Sequence, residues 1–146
     1  MEVSLERLRD PGDAFGARAA RHLREDAVVW LTTVDPGGAP TPSPVWFLWD
    51  GDGSALVYSL AGTSRTANLA ANPRVTLNFA GDGRGGDIVV LSGLATVAED
   101  AGPADENTGY LEKYSAHITR IGLTPREFAG RYRVPVRIRF TRLRGH

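Results

Sequence analysis

The residues best placed to do chemistry lie in Thr63-Ser-Arg-Thr-Ala-Asn-Leu-Ala-Ala-Asn-Pro73. Thr63 and Ser64 are N-cap residue types, so the free N–H groups of a helical first turn open beside a fixed positive charge, Arg65. Backbone donors, the helix dipole and a guanidinium fork together suit dianionic oxygen, and a phosphate is the natural ligand. The same residues also describe an ordinary capped surface helix with a solvated arginine. Other candidates are thinner. His22 has no evident histidine or carboxylate partner and reads as a packed or surface residue. Gly81-Asp-Gly-Arg-Gly-Gly86 lacks both the Gly-Lys-Ser/Thr ending of a phosphate-binding loop and dinucleotide-fingerprint spacing, so it reads as a hairpin loop. No Ser/His/Asp set or carboxylate pair is visible, which argues against hydrolysis and leaves the catalytic residues unassigned. No metal-ligand set is visible either.

The elements around this stretch follow from turn chemistry and periodicity. Residues 13–25 read as a helix lying over a sheet, with Phe15, Ala19, His22 and Leu23 near one face. Ala27-Val-Val-Trp-Leu-Thr-Thr-Val34 is a strand, and Asp35-Pro-Gly-Gly38 turns it into a second, Ala39–Trp49. Prolines at 40, 42 and 44 remove N–H donors from one side of that second strand and leave Thr41, Ser43 and Val45 to pair on the other. The bare edge either protects the sheet against aggregation or, with Val45-Trp46-Phe47, walls a pocket for a flat ligand. Ala55–Ser59 is a third strand leading into the Arg65 helix. Asn72-Pro73 ends that helix, and Val75–Phe79 resumes as strand. Asp87–Val97 follows, with Gly93 as a bulge. Pro103 opens a helix with a buried stripe of Tyr110, Leu111, Tyr114 and Ile118, and Thr124-Pro-Arg-Glu127 is a capping box with proline at the first helical position. The last strand alternates, Tyr132, Val134, Val136, Ile138 and Phe140 against Arg131, Arg133, Arg137 and Arg139.

Six strands with tight turns, one inserted helix and two helices before the last strand predict a mainly β (α+β) fold, a six-stranded antiparallel barrel with flanking helices. At 146 residues the chain reads as a single domain, with 1–12 as a flexible N-terminal segment. Seventeen basic and seventeen acidic residues cancel, so no global field calls for nucleic acid or a membrane surface. There is no cysteine, which excludes disulfides and thiol chemistry. With no apolar leader or spanning run, the expected location is the cytoplasm. A barrel this small rarely encloses a deep pocket alone, so a groove shared between two copies is expected.

Three blocks carry a resemblance to a known superfamily: Trp30-Leu-Thr-Thr33 with Pro44-Val-Trp-Phe47; Ser64-Arg-Thr-Ala-Asn-Leu69 with Asn72-Pro-Arg-Val75; and Tyr132-Arg-Val-Pro-Val136 with Thr141-Arg-Leu-Arg-Gly145. In this order, from about Phe15 onward, the chain resembles the pyridoxamine 5′-phosphate oxidase-like, FMN-binding type split β-barrels. It looks most like the actinobacterial branch that uses the deazaflavin coenzyme F420. The resemblance implies that Arg65 binds the cofactor phosphate with Ser64 and Thr66, and that Asn68 belongs to the same cofactor-binding block. It also places the ring system against Pro44, Val45, Trp46 and Phe47, near Thr32 and Thr33, at a homodimer interface. The implied activity is hydride transfer from reduced F420 to a small electron-poor acceptor, with Arg137 and Arg139 facing the coenzyme's polyglutamate tail. The Arg-x-Val-Leu signature of true pyridoxamine phosphate oxidases is missing around 42–47, which speaks against vitamin B6 oxidation. The alternatives are an FMN-dependent oxidoreductase, a non-catalytic carrier of flavin or tetrapyrrole, and a barrel without cofactor.

Overall fold

The computed structural model describes residues 2–146. Its strands are β1 (Glu2–Val3), β2 (Val29–Val34), β3 (Pro40–Val45), β4 (Leu48–Trp49), β5 (Ser54–Ser59), β6 (Arg74–Asn78), β7 (Val89–Val97) and β8 (Val134–Gly145). The α-helices are α1 (Ala14–Glu25), α2 (Ser64–Ala71), α3 (Thr108–Arg120) and α4 (Pro125–Arg131). All strand pairs are antiparallel, in the order β3-β2-β6-β7-β8-β5-β4, with β1 also on β8. β7 runs along one edge of β8, and β5 and β1 share the other.

The described strands number eight rather than the expected six. One extra strand arises because the predicted Ala39–Trp49 strand breaks at Trp46-Phe47 into β3 and β4. The break has a physical cause on α3. The Tyr114 hydroxyl accepts the Phe47 N–H at 2.8 Å and has the Ala27 and Phe47 carbonyls at 2.7 and 2.9 Å for its own proton. The Lys113 ammonium donates to the Phe47 carbonyl at 3.0 Å. The Phe47 backbone is thus satisfied by side chains rather than by a strand neighbour, and its ring turns fully into the core. Tyr114→Phe leaves the buried Phe47 N–H without its acceptor and is expected to cost about 1–3 kcal/mol. Urea unfolding of the two proteins measures that cost.

The other extra strand is β1, part of the segment expected to be flexible. Met1 lies outside the described residues; Glu2 and Val3 pair with Arg144 and Leu143, and Leu8, in a short 3-10 turn, is buried. A clasp holds this segment to α1. Asp13, the α1 N-cap, accepts from Arg7 Nε at 2.8 Å and from Gly16 N–H at 2.6 Å. Those two contacts, the Arg7 side chain first, hold its carboxyl below the ordinary range despite some burial.

Two apolar clusters result. The barrel core is built from Leu23, Val29, Leu31, Phe47, Leu77, Leu91, Ile138 and Leu143 with their neighbours. An aromatic cluster, Tyr58, Tyr110, Tyr114 and Phe128, lies where α3 and α4 cover the barrel. Gly93 is the expected irregularity: the β7–β8 register shifts between Ser92 and Gly93, Gly93 facing Phe140 and Ser92 facing Arg142. Thr141 is the extra residue, so the alternation of β8 holds through Phe140 and then changes phase, leaving Leu143 buried and Arg142 exposed. The predicted start of this strand is corrected, since Arg131 ends α4 and Tyr132 caps it. Pro103 precedes a short 3-10 turn, and α3 begins only after the Asn107 cap.

Candidate functional site

β5 delivers the chain through Leu60–Gly62 into α2, which starts as its cap residues dictate. Thr63 is the N-cap; its Oγ1 accepts the Thr66 N–H at 3.4 Å, and the Thr66 hydroxyl donates to the Thr63 carbonyl at 2.8 Å. Ser64, expected as a second cap residue, is instead the first helical residue and is exposed. Asn72, extended before Pro73, ends the helix.

Arg65 projects into a cavity of about 340 Å³ that Pro44, Val45 and Trp46 also line. The remaining walls are Tyr58, Leu60, Tyr110, Ile121, Phe128 and Tyr132. The Trp46 ring packs flat against Tyr114, centroids 4.9 Å apart at 6°, and against Phe128, 5.5 Å apart at 13°; Phe128 in turn stacks on Tyr132 at 4.5 Å. The cavity is therefore walled by flat, rigid rings with one cation at the side. That cation has few partners. Arg65 Nη1 reaches the buried Ser59 hydroxyl at 3.4 Å, Nε is buried with no hydrogen-bond partner, and among the described residues no carboxylate forms an ion pair with it. Burial holds the guanidinium below its ordinary pKa, with the neighbouring Tyr132 acting in the opposite sense. A desolvated cation without a counter-ion costs free energy, and an anion in the cavity would offset that cost.

The structure brings some of the expected site residues to this cavity and sends others behind it. Pro44, Val45, Trp46 and Arg65 line it, and Ser64 precedes Arg65. Phe47 lies in the barrel core instead. Thr33 and Asn68 are buried: Asn68 Nδ2 donates to the Thr33 and Thr41 hydroxyls at 3.2 Å each, and those two hydroxyls lie 2.7 Å apart. This network ties α2 to the β2–β3 hairpin and so fixes the distance between Arg65 and Pro44. Thr32 points from the opposite face of β2, beside Arg74 and Thr76, and Thr66 faces an apolar groove with Leu69, Pro73 and Val97. Arg137 and Arg139 do not line the cavity, and Arg137 pairs with Asp100 at 3.1 Å.

Sequence reasoning missed Tyr58, Tyr110, Phe128 and Tyr132 as walls, because an aromatic stripe at helical spacing reads equally as core. The signal was the density of rings on both sides of Arg65, from Tyr58 on β5 to Tyr132 after α4. His22 also has the carboxylates it seemed to lack. Its Nδ1 lies 2.7 Å from Asp26 and its Nε2 2.9 Å from Asp87, which also lies 2.9 Å from Arg18 Nε and carries a positive φ of 53°. This cluster pins α1 to the loop before β7, away from the cavity.

A comparison with curated proteins finds no match. Among solved structures, an F420 reductase is 25% identical with a TM-score of 0.63, covering 84% of this chain and 92% of its own. A conserved hypothetical protein from Mycobacterium tuberculosis is 22% identical with a TM-score of 0.66, covering 88% and 81%. HutZ, a heme storage protein from Vibrio cholerae, is 17% identical with a TM-score of 0.58, covering 86% and 87%. The last two likenesses speak for the fold alone. Among the described residues no helix is long and apolar enough to cross a membrane. The profile of the pyridoxamine 5′-phosphate oxidase family matches residues 15–146, and with the antiparallel split-barrel sheet described above, the chain belongs to that family.

Proposed function

We propose that this protein is an F420-dependent oxidoreductase that passes a hydride from the reduced deazaflavin to a small electron-poor acceptor. One observation carries the reading: Arg65 is a partly desolvated guanidinium with an unbonded, buried Nε in a cavity walled by aromatic rings. A phosphate joined to a flat heteroaromatic ring matches both halves of that site. The likeness to an F420 reductase at 25% identity favours the deazaflavin over FMN.

When bound, reduced F420 would supply the hydride, so the chain's own part is binding, orientation and exclusion of water. In this reading Arg65 and the exposed hydroxyl of Ser64 take the phosphate. Pro44, Val45 and Trp46 form the flat wall, and Trp46 is held rigid by Tyr114 and Phe128. Thr33, Phe47 and Asn68 act from behind the wall, and Thr66 completes the helix cap. Among the lining phenols, the Tyr58 hydroxyl donates to the Gly102 carbonyl and accepts from Asn107, and burial pushes Tyr110 far above its ordinary range. Tyr132, beside Arg65, is the phenol left to pass a proton.

The groove is shared between two copies of the chain. Leu60 and Ile121 at its wall are 40% and 48% exposed, and Trp30, paired with Pro44 across the hairpin, is 41% exposed. A second copy would cover these apolar surfaces. The test is to follow the absorbance of reduced F420 bound to the protein while quinones and unsaturated ketones are added. An oxidoreductase accelerates reoxidation with at least one acceptor. Uniform slowing would mark a carrier and overturn the proposal.

A further inference from the structure

Three tyrosine rings pack together beside the Arg65 cavity. Tyr110 meets Tyr58 edge to face, centroids 4.9 Å apart at 82°, and Tyr114 at 4.8 Å, and it is only 1% exposed. Two of the three hydroxyls are spent within the protein. That of Tyr58 donates to the Gly102 carbonyl and accepts from Asn107, and that of Tyr114 accepts the Phe47 N–H. The Tyr110 hydroxyl has no such partner among the described residues, although the Tyr110 backbone N–H is bonded to Asn107 Oδ1 at 3.1 Å. Nor is it sealed in, since the side-chain atoms shut away from solvent without a partner lie on other residues. The unbonded oxygen of this buried ring therefore opens on the cavity that Tyr110 lines.

An unmatched phenol in a wall otherwise made of rings costs free energy in the empty protein, and a ligand atom that meets it recovers that cost. The field decides which atom. Arg65 is the one charged residue among the described residues that line the cavity, so an electron-rich oxygen is favoured there over a ligand N–H. Burial, and after it the neighbouring Tyr114, raises the Tyr110 phenol above its ordinary range and keeps it protonated. It is a neutral donor. Tyr132 differs, being only half-buried and open to water.

We propose that Tyr110 is a specificity-determining residue of this cavity: its hydroxyl donates a hydrogen bond to a ring carbonyl of the flat ligand whose phosphate lies on Arg65. This rests on the reading of Arg65 as a phosphate site and names the second feature the ligand must carry. Conjugation holds the carbonyl oxygen in the plane of its ring, where it fits between flat walls, and adds to its negative charge.

Two flat bicyclic phosphates separate the roles. Umbelliferyl phosphate carries a conjugated lactone carbonyl, and naphthyl phosphate has a similar ring and the same anion without it. Each is titrated calorimetrically into the purified protein and into Tyr110→Phe, and thermal unfolding of both proteins is recorded. Wild type is expected to bind umbelliferyl phosphate about tenfold more tightly than naphthyl phosphate. Tyr110→Phe should erase that preference, hold naphthyl phosphate to within about twofold, and unfold at no lower temperature, because it deletes an unbonded hydroxyl. No preference in wild type, a preference that survives in Tyr110→Phe, an equal loss of both ligands, or a lower unfolding temperature in the variant would each overturn the proposal and leave the phosphate site standing. Failure of wild type to bind either phosphate would overturn both.

Discussion

Replacing Arg65 with alanine is expected to weaken F420 binding about 100-fold, or about 3 kcal/mol, while leaving stability unchanged to within about 0.5 kcal/mol. The two effects separate because Arg65 contributes little to the fold. Its hydrogen bond to Ser59 is long at 3.4 Å, its Nε is unpaired, and burial disfavours its charge. Removing it therefore relieves a desolvation cost in the free protein and removes the anion partner from the complex. Arg65→Lys keeps the charge but loses the planar fork, and the expected loss is about tenfold. Fluorescence anisotropy of F420 with the three proteins, alongside urea unfolding of each, checks both quantities. An Arg65→Ala protein that binds as tightly as wild type would leave Arg65 as a buried cation without a ligand role.

A large stability effect is expected at Gly93. A Cβ built there would lie 2.7 Å from Ile138 Cγ2 and 2.8 Å from the Arg139 carbonyl oxygen, and the second contact is with backbone that cannot rotate away. The position sits in the middle of β7, at the register shift that lets β8 accommodate Thr141. Gly93→Val must either separate β7 from β8 or abolish the bulge, and moving the bulge would turn Leu143 out of the core. The expected cost is about 3 kcal/mol, seen as a fall in Tm of about 10 °C. Gly53→Ala, where a Cβ meets nothing within 4 Å, serves as the control and should stay within about 0.5 kcal/mol.

How much of this was legible in the sequence depends on how far each determinant reaches along the chain. Local determinants read directly. Thr63 and Asn72-Pro73 set the ends of α2, Thr124 and Glu127 form the capping box of α4, and Pro40, Pro42 and Pro44 put β3 at the sheet edge, next only to β2. Gly93 was readable as a bulge because an isolated glycine inside a β-branched run has few other uses.

Long-range determinants did not read. Phe47 continues an apolar run and looks like a pocket wall; what turns it inward is the Tyr114 hydroxyl, 67 residues away in the chain. His22 gained Asp87 across 65 residues, and only the Asp26 contact, four residues on, lay within reach of a helical pattern. Of the site itself, the cation and the Pro44–Trp46 wall were visible as motifs. The missing counter-ion of Arg65 and the ring cage from Tyr58 to Tyr132 exist only once α3 and α4 close over β5, so no spacing in the sequence encodes them.

In the proposed function the Arg65 cavity is built for the deazaflavin. The direct measurement is a titration of the purified protein with F420 and with FMN, each followed by its own fluorescence anisotropy, and then a competition in which one displaces the other. F420 is expected to bind more tightly, and FMN to displace it only in large excess. Tighter binding of FMN, or no binding of either, would contradict it.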